Sequence, residues 1–207
     1  ILIILILLAA LGVVAYKGFT VKQVQVEGTD LYPDETIRQW VLNDDYSWNT
    51  LYVFLKYKFK DAEEMPFLHQ PEVCIKGPHS LSIKVREKKI AGYLYVPAMG
   101  QNAYFNKDGV VVETSSRKLE GMMEVTGLEC SKVSVGEKIP VKKKSLLKAM
   151  LSLTQGLSKY KMMPQTIHCD EYSNIMLEYE KVTVNIGNSQ NLSTKMETLS
   201  VIFPQLK

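Results

Sequence analysis

The sequence predicts an α+β protein that begins with a transmembrane helix, and three observations support this fold class. The chain opens on an apolar run without a charged residue, from Ile1 to Tyr16. Short segments that alternate apolar and polar residues recur along the rest of the chain and are typical of strands. Four further segments carry apolar residues at helical spacing and predict amphipathic helices.

The opening run predicts a membrane anchor over residues 1–17. As a helix it covers about 24 Å at roughly 1.5 Å per residue, whereas a hydrocarbon core is about 30 Å thick. Either the span continues upstream of Ile1, so that the chain is N-terminally truncated, or the run is the core of a signal peptide. A signal peptide ends in small residues at its cleavage site, and the exit Ala15–Phe19 matches this poorly. An uncleaved single-pass anchor is therefore favoured.

Residues 20–88 predict a first domain with the order strand, helix, helix, strand, strand. VKQVQVE alternates as a strand, and Pro33 followed by two acidic residues begins a helix that ends near Leu42. An apolar segment predicts a second helix over Leu51–Lys60. PEVCIK and SLSIKVR then predict two strands joined by the turn Gly77-Pro78-His79.

Residues 89–207 predict a second domain, an antiparallel sheet with two packed helices. The helices are expected at about Lys142–Lys161, with Leu146, Met150, Leu153 and Leu157 on one face, and at Leu192–Phe203. The predicted strands are IAGYLYV, NAYFN, VVVET, MMEVTG, TIHCDEY, NIMLEY and VTVNIG. The sheet would then stop at an apolar strand, so the domain is predicted to be C-terminally incomplete, with an open edge.

Composition and spacing indicate neither an enzyme nor a nucleic-acid-binding protein. The net charge of +3 gives no large electrostatic footprint for nucleic acid. Phosphate-binding loops and HExxH are absent from the sequence, and the three cysteines form no CxxC. Cys74 and Cys169 are interpreted as small buried side chains. His168 and Cys169 are neighbours on a strand and point to opposite faces, so they do not form a catalytic pair. We therefore predict no catalytic, cofactor-binding or metal-binding residues.

Aromatic strands without catalytic chemistry favour an interaction protein. Tyr93, Tyr95, Tyr104 and Phe105 are expected to pack across neighbouring strands. An open antiparallel sheet can accept a partner strand along its edge. The predicted mechanism is strand addition, in which backbone hydrogen bonds set the register and alternate side chains set the specificity.

In their order along the chain, these motifs resemble the FtsQ/DivIB family of bacterial cell-division proteins. VQVEG with its Pro-started helix, then PEVCIKGPHSLSIKVREKKIA, resemble the family's POTRA domain. YFNKDGVVVE, VTGLECSKVSVGEKI and VTVNIGNSQNLSTKMETLSVIF resemble its β domain. There are two departures. Position 106 is Asn where the family often has Asp, and family members usually continue beyond the last helix into further strands.

The resemblance implies a non-enzymatic division scaffold without cofactors. It implies FtsB/DivIC-type and FtsL-type partners, an indirect link to the septal peptidoglycan synthase, and a place in the cytoplasmic membrane with both domains outside, at the division septum. Two alternatives stay open: an extracytoplasmic sensor domain, and a POTRA module of protein transport. The partner interface is expected at the end of the chain, at Val182, Val184, Ile186, Lys195 and Phe203.

Overall fold

The computed structural model describes residues 1–60 and 63–205 of the chain, so the predicted domain ranges extend over four positions, 61–62 and 206–207, that lie outside the described residues. The chain divides into two compact units, Ile1–Lys88 and Lys89–Lys207. Within the described part the class is α+β, with five α-helices and two sheets.

The predicted transmembrane helix is wrong. The first helix, α1, spans Leu2–Gly18 and has 17 residues. At about 1.5 Å per residue it covers roughly 26 Å, less than the ~30 Å of a hydrocarbon core. Across residues 1–60 and 63–205, no helix is both long enough and apolar enough to cross a membrane.

The first unit continues with a three-stranded sheet and two helices. The elements are β1 Gln23–Glu27, α2 Asp34–Val41, α3 Thr50–Phe59, β2 Glu72–Gly77 and β3 Ser80–Lys84. The strand order is β1-β3-β2, with β1 parallel and β2 antiparallel to β3. Alternate residues of the strands pack with the helices in a core that includes Ile37, Val41, Val53, Leu81 and Ile83.

The loop between α2 and α3 is organised around Asp44. Its carboxylate accepts hydrogen bonds from Ser47 Oγ at 2.9 Å and Tyr52 OH at 3.1 Å, and it pairs with Lys56 Nζ at 2.8 Å. Asn49 caps α3, because its side chain accepts a hydrogen bond from the Tyr52 backbone N–H at 3.0 Å. These contacts fix the entry into α3.

Cys74 lies on the surface, which corrects its interpretation as a buried side chain. In β2 the inward positions are Val73 and Ile75, whose cross-strand partners are Ile83 and Leu81. Because successive strand residues point to opposite faces, Cys74 faces away from the core.

The second unit has a seven-stranded sheet in the order β10-β9-β8-β7-β4-β5-β6. Its helices are α4, Lys144–Lys159, and α5, Leu192–Ile202, and α5 continues into a short 3-10 turn at Phe203–Gln205. The strands are β4 Gly92–Val96, β5 Gln101–Phe105, β6 Val111–Ser115, β7 Glu124–Thr126, β8 Thr166–Cys169, β9 Ile175–Glu178 and β10 Thr183–Gly187. Both helices contribute to one core with the sheet, in which Met150, Leu153, Leu157 and Leu199 are buried.

The sheet is mixed, so the predicted purely antiparallel arrangement is wrong. Strand β7 runs parallel to both β4 and β8. For β8 the reason is the connection through α4: the chain leaves β7, crosses the sheet on the helix and re-enters in the same direction, as crossover connections do. Strand β4 lies close to Met123, the residue before β7. A Cβ on Gly92 would lie 2.7 Å from Met123 Cε and 2.9 Å from the Met123 carbonyl oxygen.

Candidate functional site

Strand β10 is the end strand of the seven-stranded sheet and pairs with β9 alone in the described part of the chain. The two strands form a hairpin in which the Tyr179 N–H donates to the Val182 carbonyl at 2.9 Å. Antiparallel pairs alternate between residues that bond to each other and residues that turn their backbone groups away. The next residue, Thr183, is therefore of the outward kind, as is Asn185.

This alternation leaves a backbone edge that is open to a partner. The pairs continue as Thr183 with Glu178, Val184 with Leu177, and Asn185 with Met176. The carbonyl of Glu178 accepts from the Gln165 N–H at 2.9 Å, which shows that Glu178 directs its backbone groups to β8 and not to β10. Thr183 and Asn185 thus carry the N–H and C=O groups that a further strand would use.

Two of the five predicted interface residues, Val184 and Ile186, lie on the face of β10 that packs on the core. Ile186 is only 7% exposed and belongs to the core, and Val184 packs against it. Val182 is half-buried and lies just before the strand, which begins at Thr183. The side chains of Val184 and Ile186 pack on the core and are not presented at the edge. Recognition at this edge therefore depends on the backbone more than on a row of apolar side chains.

The other two predicted residues lie on the C-terminal helical segment at opposite ends of β10. Lys195 Nζ donates to the Asn188 carbonyl at 2.9 Å, just after the strand. Phe203 packs on Tyr179, just before it, with ring centroids 5.0 Å apart. The structure thus brings Lys195 and Phe203 together with the strand, and α5 fixes both of its ends.

Tyr179 holds the hairpin in place from its other side. Its hydroxyl donates to the Met162 carbonyl at 2.8 Å, beyond the end of α4. Burial raises the pKa of Tyr179 to about 12, so its hydroxyl stays protonated and remains a donor at physiological pH. The signal for this residue in the sequence was weak, because a single tyrosine between two strands predicts no particular partner.

The residues that suggested nucleophilic chemistry are held apart. Cys169 is 1% exposed in the core, where burial raises the pKa of its thiol to about 11. His168 lies on the opposite face of β8, and its Nδ1 forms a 2.8 Å hydrogen bond with Thr126 Oγ1. The thiol is therefore neither deprotonated nor next to the imidazole. No group of three or more potential metal ligands occurs among residues 1–60 and 63–205.

Comparison with known proteins leaves the identity open. The chain matches no protein-family model and no curated protein. The resemblance to the FtsQ/DivIB family stays a prediction from the motifs.

Proposed function

We propose that the chain is a non-enzymatic scaffold of bacterial cell division, of the FtsQ/DivIB kind, and that it binds an FtsB/DivIC-type partner along β10. An FtsL-type protein joins the same assembly, which acts on the septal peptidoglycan synthase indirectly. The proposed location is the outer side of the cytoplasmic membrane at the division septum. After α1, the order of elements in the first unit, strand, helix, helix, strand, strand, is compatible with a POTRA-like module.

The observation that carries the proposal is the outer backbone edge of β10, which pairs with no strand among residues 1–60 and 63–205. A partner strand placed beside Thr183 and Asn185 would extend the sheet from seven strands to eight, with hydrogen bonds that set its register. Such edges are normally covered or made unattractive by charge, proline or a bulge. Here the register irregularity lies at the far end of the strand, between Asn185 and Gly187, which leaves the start of the strand regular.

Both ends of the edge are anchored, which favours binding without a large rearrangement. Lys195 holds the loop after the strand, and the Phe203–Tyr179 contact holds the hairpin before it. A preorganised edge loses less conformational freedom when a partner adds to it. The ammonium group of Lys195 also supplies a positive charge beside the C-terminal end of β10.

The test removes one outward N–H and leaves the internal ladder intact. Thr183→Pro deletes the amide hydrogen that faces the free edge, because proline has no N–H. Thr114→Pro on β6, the strand at the other end of the sheet, is the matched control. Its N–H donates to Glu113 Oε1 at 3.1 Å and so contributes nothing to the ladder with β5.

Binding of the extracellular segment of an FtsB/DivIC-type partner is measured by calorimetry with each variant. We expect Thr183→Pro to weaken binding about tenfold, as the loss of a backbone hydrogen bond and of close strand approach predicts. Thr114→Pro should bind like the unaltered chain. Equal affinity of all three proteins, each shown to be folded by circular dichroism, would contradict docking along β10.

A further inference from the structure

The second unit contains a cleft of about 1060 Å³ that is separate from the edge of β10. It lies where β4, β7 and β8 begin, and β9 stands between these strands and β10. The C-terminal half of α4 and the turn between β5 and β6 close its sides, through residues such as Gln155 and Lys107. Exposed residues such as Lys89 and Lys107 line it, so it is an open groove.

Apolar and flexible side chains line part of this cleft. Met122, Met123 and Met163 line it, together with Ile90 and Pro164. Met163 is 39% exposed, which is a large exposed fraction for an apolar residue. Methionine adapts its shape to different apolar partners and is common at surfaces that bind peptides.

One ion pair in the cleft is already satisfied by neighbouring side chains. Glu124 accepts a hydrogen bond from Tyr93 OH at 2.8 Å and pairs with Lys118 Nζ at 3.0 Å. Hydrogen bonds with Tyr93 and Glu124 raise the pKa of Lys118, which keeps this lysine charged. Tyr93, Lys118 and Glu124 thus form a closed set of hydrogen bonds. Because they bind one another, they have little hydrogen-bonding capacity left for a ligand.

Two further lysines, Lys89 and Lys107, line the cleft. In the described part of the chain, the ammonium groups of Lys89 and Lys107 make no ion pair with a carboxylate. Both residues are exposed. The cleft contains one other carboxylate, Asp108, so its charges outside the closed set are two positive and one negative. This excess favours an anionic partner.

We propose that this cleft binds an extended peptide segment of a partner protein in which acidic and apolar side chains alternate. Apolar side chains would pack on Met122 and Met163, and carboxylates would pair with Lys89 and Lys107. The site does not depend on β10, so it gives the chain a second protein-binding surface whatever binds at the sheet edge.

The probe is a short synthetic peptide that alternates glutamate with leucine, compared with a lysine–leucine peptide of the same length. Binding to the full chain is followed by NMR of methionine methyl groups labelled with carbon-13. The cleft residues Met122 and Met163 report on the site, and Met176, on β9, reports on the sheet outside it. We expect saturable shifts at the first two methyl groups, none at the third, and weaker binding of the lysine peptide.

Charge reversal separates this site from general attraction to a basic protein. The double variant Lys89→Glu/Lys107→Glu should bind the glutamate–leucine peptide about tenfold more weakly, as the loss of two ion pairs and added repulsion predict. The matched control Lys132→Glu/Lys148→Glu changes two exposed lysines outside the cleft by the same charge and should retain the affinity.

Three outcomes would overturn the proposal: no shift at Met122 or Met163 at millimolar peptide, equal binding of both peptides, or equal weakening by the two double variants. Because β10 is unaltered in every variant, failure here leaves the proposed FtsB/DivIC-type interaction untouched. Conversely, Thr183→Pro should not change binding of the synthetic peptide.

Discussion

Lys56 and Asp44 form a partly buried ion pair with an Nζ–Oδ2 distance of 2.8 Å, and this pair joins α3 to the loop that precedes it. Burial alone would raise the pKa of Asp44, but hydrogen bonds from Lys56, Ser47 and Tyr52 outweigh it and lower the pKa to about 2. A carboxyl group with a lowered pKa stabilises the fold above its unfolded pKa near 4, and this contribution is lost as the pH falls towards 2.

Asp44→Asn should therefore lower the free energy of unfolding of the first unit by about 1–2 kcal/mol at pH 7, allowing for partial exposure. Urea denaturation followed by tryptophan fluorescence measures it, since both tryptophans, Trp40 and Trp48, lie in this unit. The difference from the unaltered chain should shrink near pH 2. Asp45→Asn, an exposed neighbour, is the control, and an equal loss in that variant would contradict the assigned role.

Cys169 and Cys74 should respond differently to the same substitution. Cys169→Ser places a hydroxyl in the core and should lower the stability of the second unit by roughly 1–3 kcal/mol. Cys74→Ser, on the surface of the first unit, should change the stability of that unit by less than about 0.5 kcal/mol. Urea denaturation gives the stabilities, and a thiol reagent should modify Cys74 in the folded chain but not Cys169. Rapid modification of Cys169 would show that the buried strand opens.

A comparison of alanine substitutions at Gly127 and Gly136 separates the cost of close packing from the cost of backbone strain. Gly127 and Gly136 both have positive φ, +79° and +89°. A Cβ at Gly127 would overlap the Cys169 carbonyl oxygen, whereas one at Gly136 meets nothing within 4 Å. Alanine at Gly136 should cost about 1–2 kcal/mol. At Gly127 it should cost at least about 2 kcal/mol more, because backbone must move. Denaturation followed by circular dichroism would compare the stabilities of the two variants. Equal losses of stability would mean that the backbone of β8 moves away from the new Cβ at little cost.

Tyr104 holds the segment after β6 through its hydroxyl. This hydroxyl donates to the Arg117 carbonyl at 2.6 Å and accepts from the Leu119 N–H at 3.2 Å. Tyr104→Phe leaves that buried N–H without this acceptor and should destabilise the second unit by about 1–3 kcal/mol. Tyr95→Phe is the matched control, since Tyr95 is 53% exposed. If thermal unfolding shifted equally in both variants, the hydroxyl of Tyr104 would not be the cause.

The spacing of apolar residues predicted the helices and strands that bury one face in the core. Leu146, Met150, Leu153 and Leu157 follow helical spacing, and all four are buried on α4. Of the aromatic residues expected to pack across neighbouring strands, Tyr93 and Tyr104 do so, with ring centroids 5.4 Å apart, whereas Tyr95 is 53% exposed. These features depend on residues close in sequence or on simple alternation, which a single sequence contains.

Features set by distant contacts could not be read in the same way. The alternation within β7 is the same whether its neighbours are parallel or antiparallel, so the direction of pairing was missed. The interpretation of Cys74 as a buried residue is wrong, although Val73 and Ile75 point inward and the alternation of strand residues places Cys74 on the surface. The lysine and methionine residues of the cleft come from separate segments, and only folding brings them together.

The joint between β4 and β7 has a mechanical consequence. Within residues 63–205 one register pair, Tyr93 with Glu124, joins these strands, whereas the pairings of β10 with β9, β9 with β8, and β8 with β7 have four, four and three. Within the sheet, a load applied at β10 and resisted at Lys89 crosses this pairing. Under tension we expect β4 to separate from β7 before β10 separates from β9. A partner bound along β10 would then stay attached to β10 after the sheet has divided.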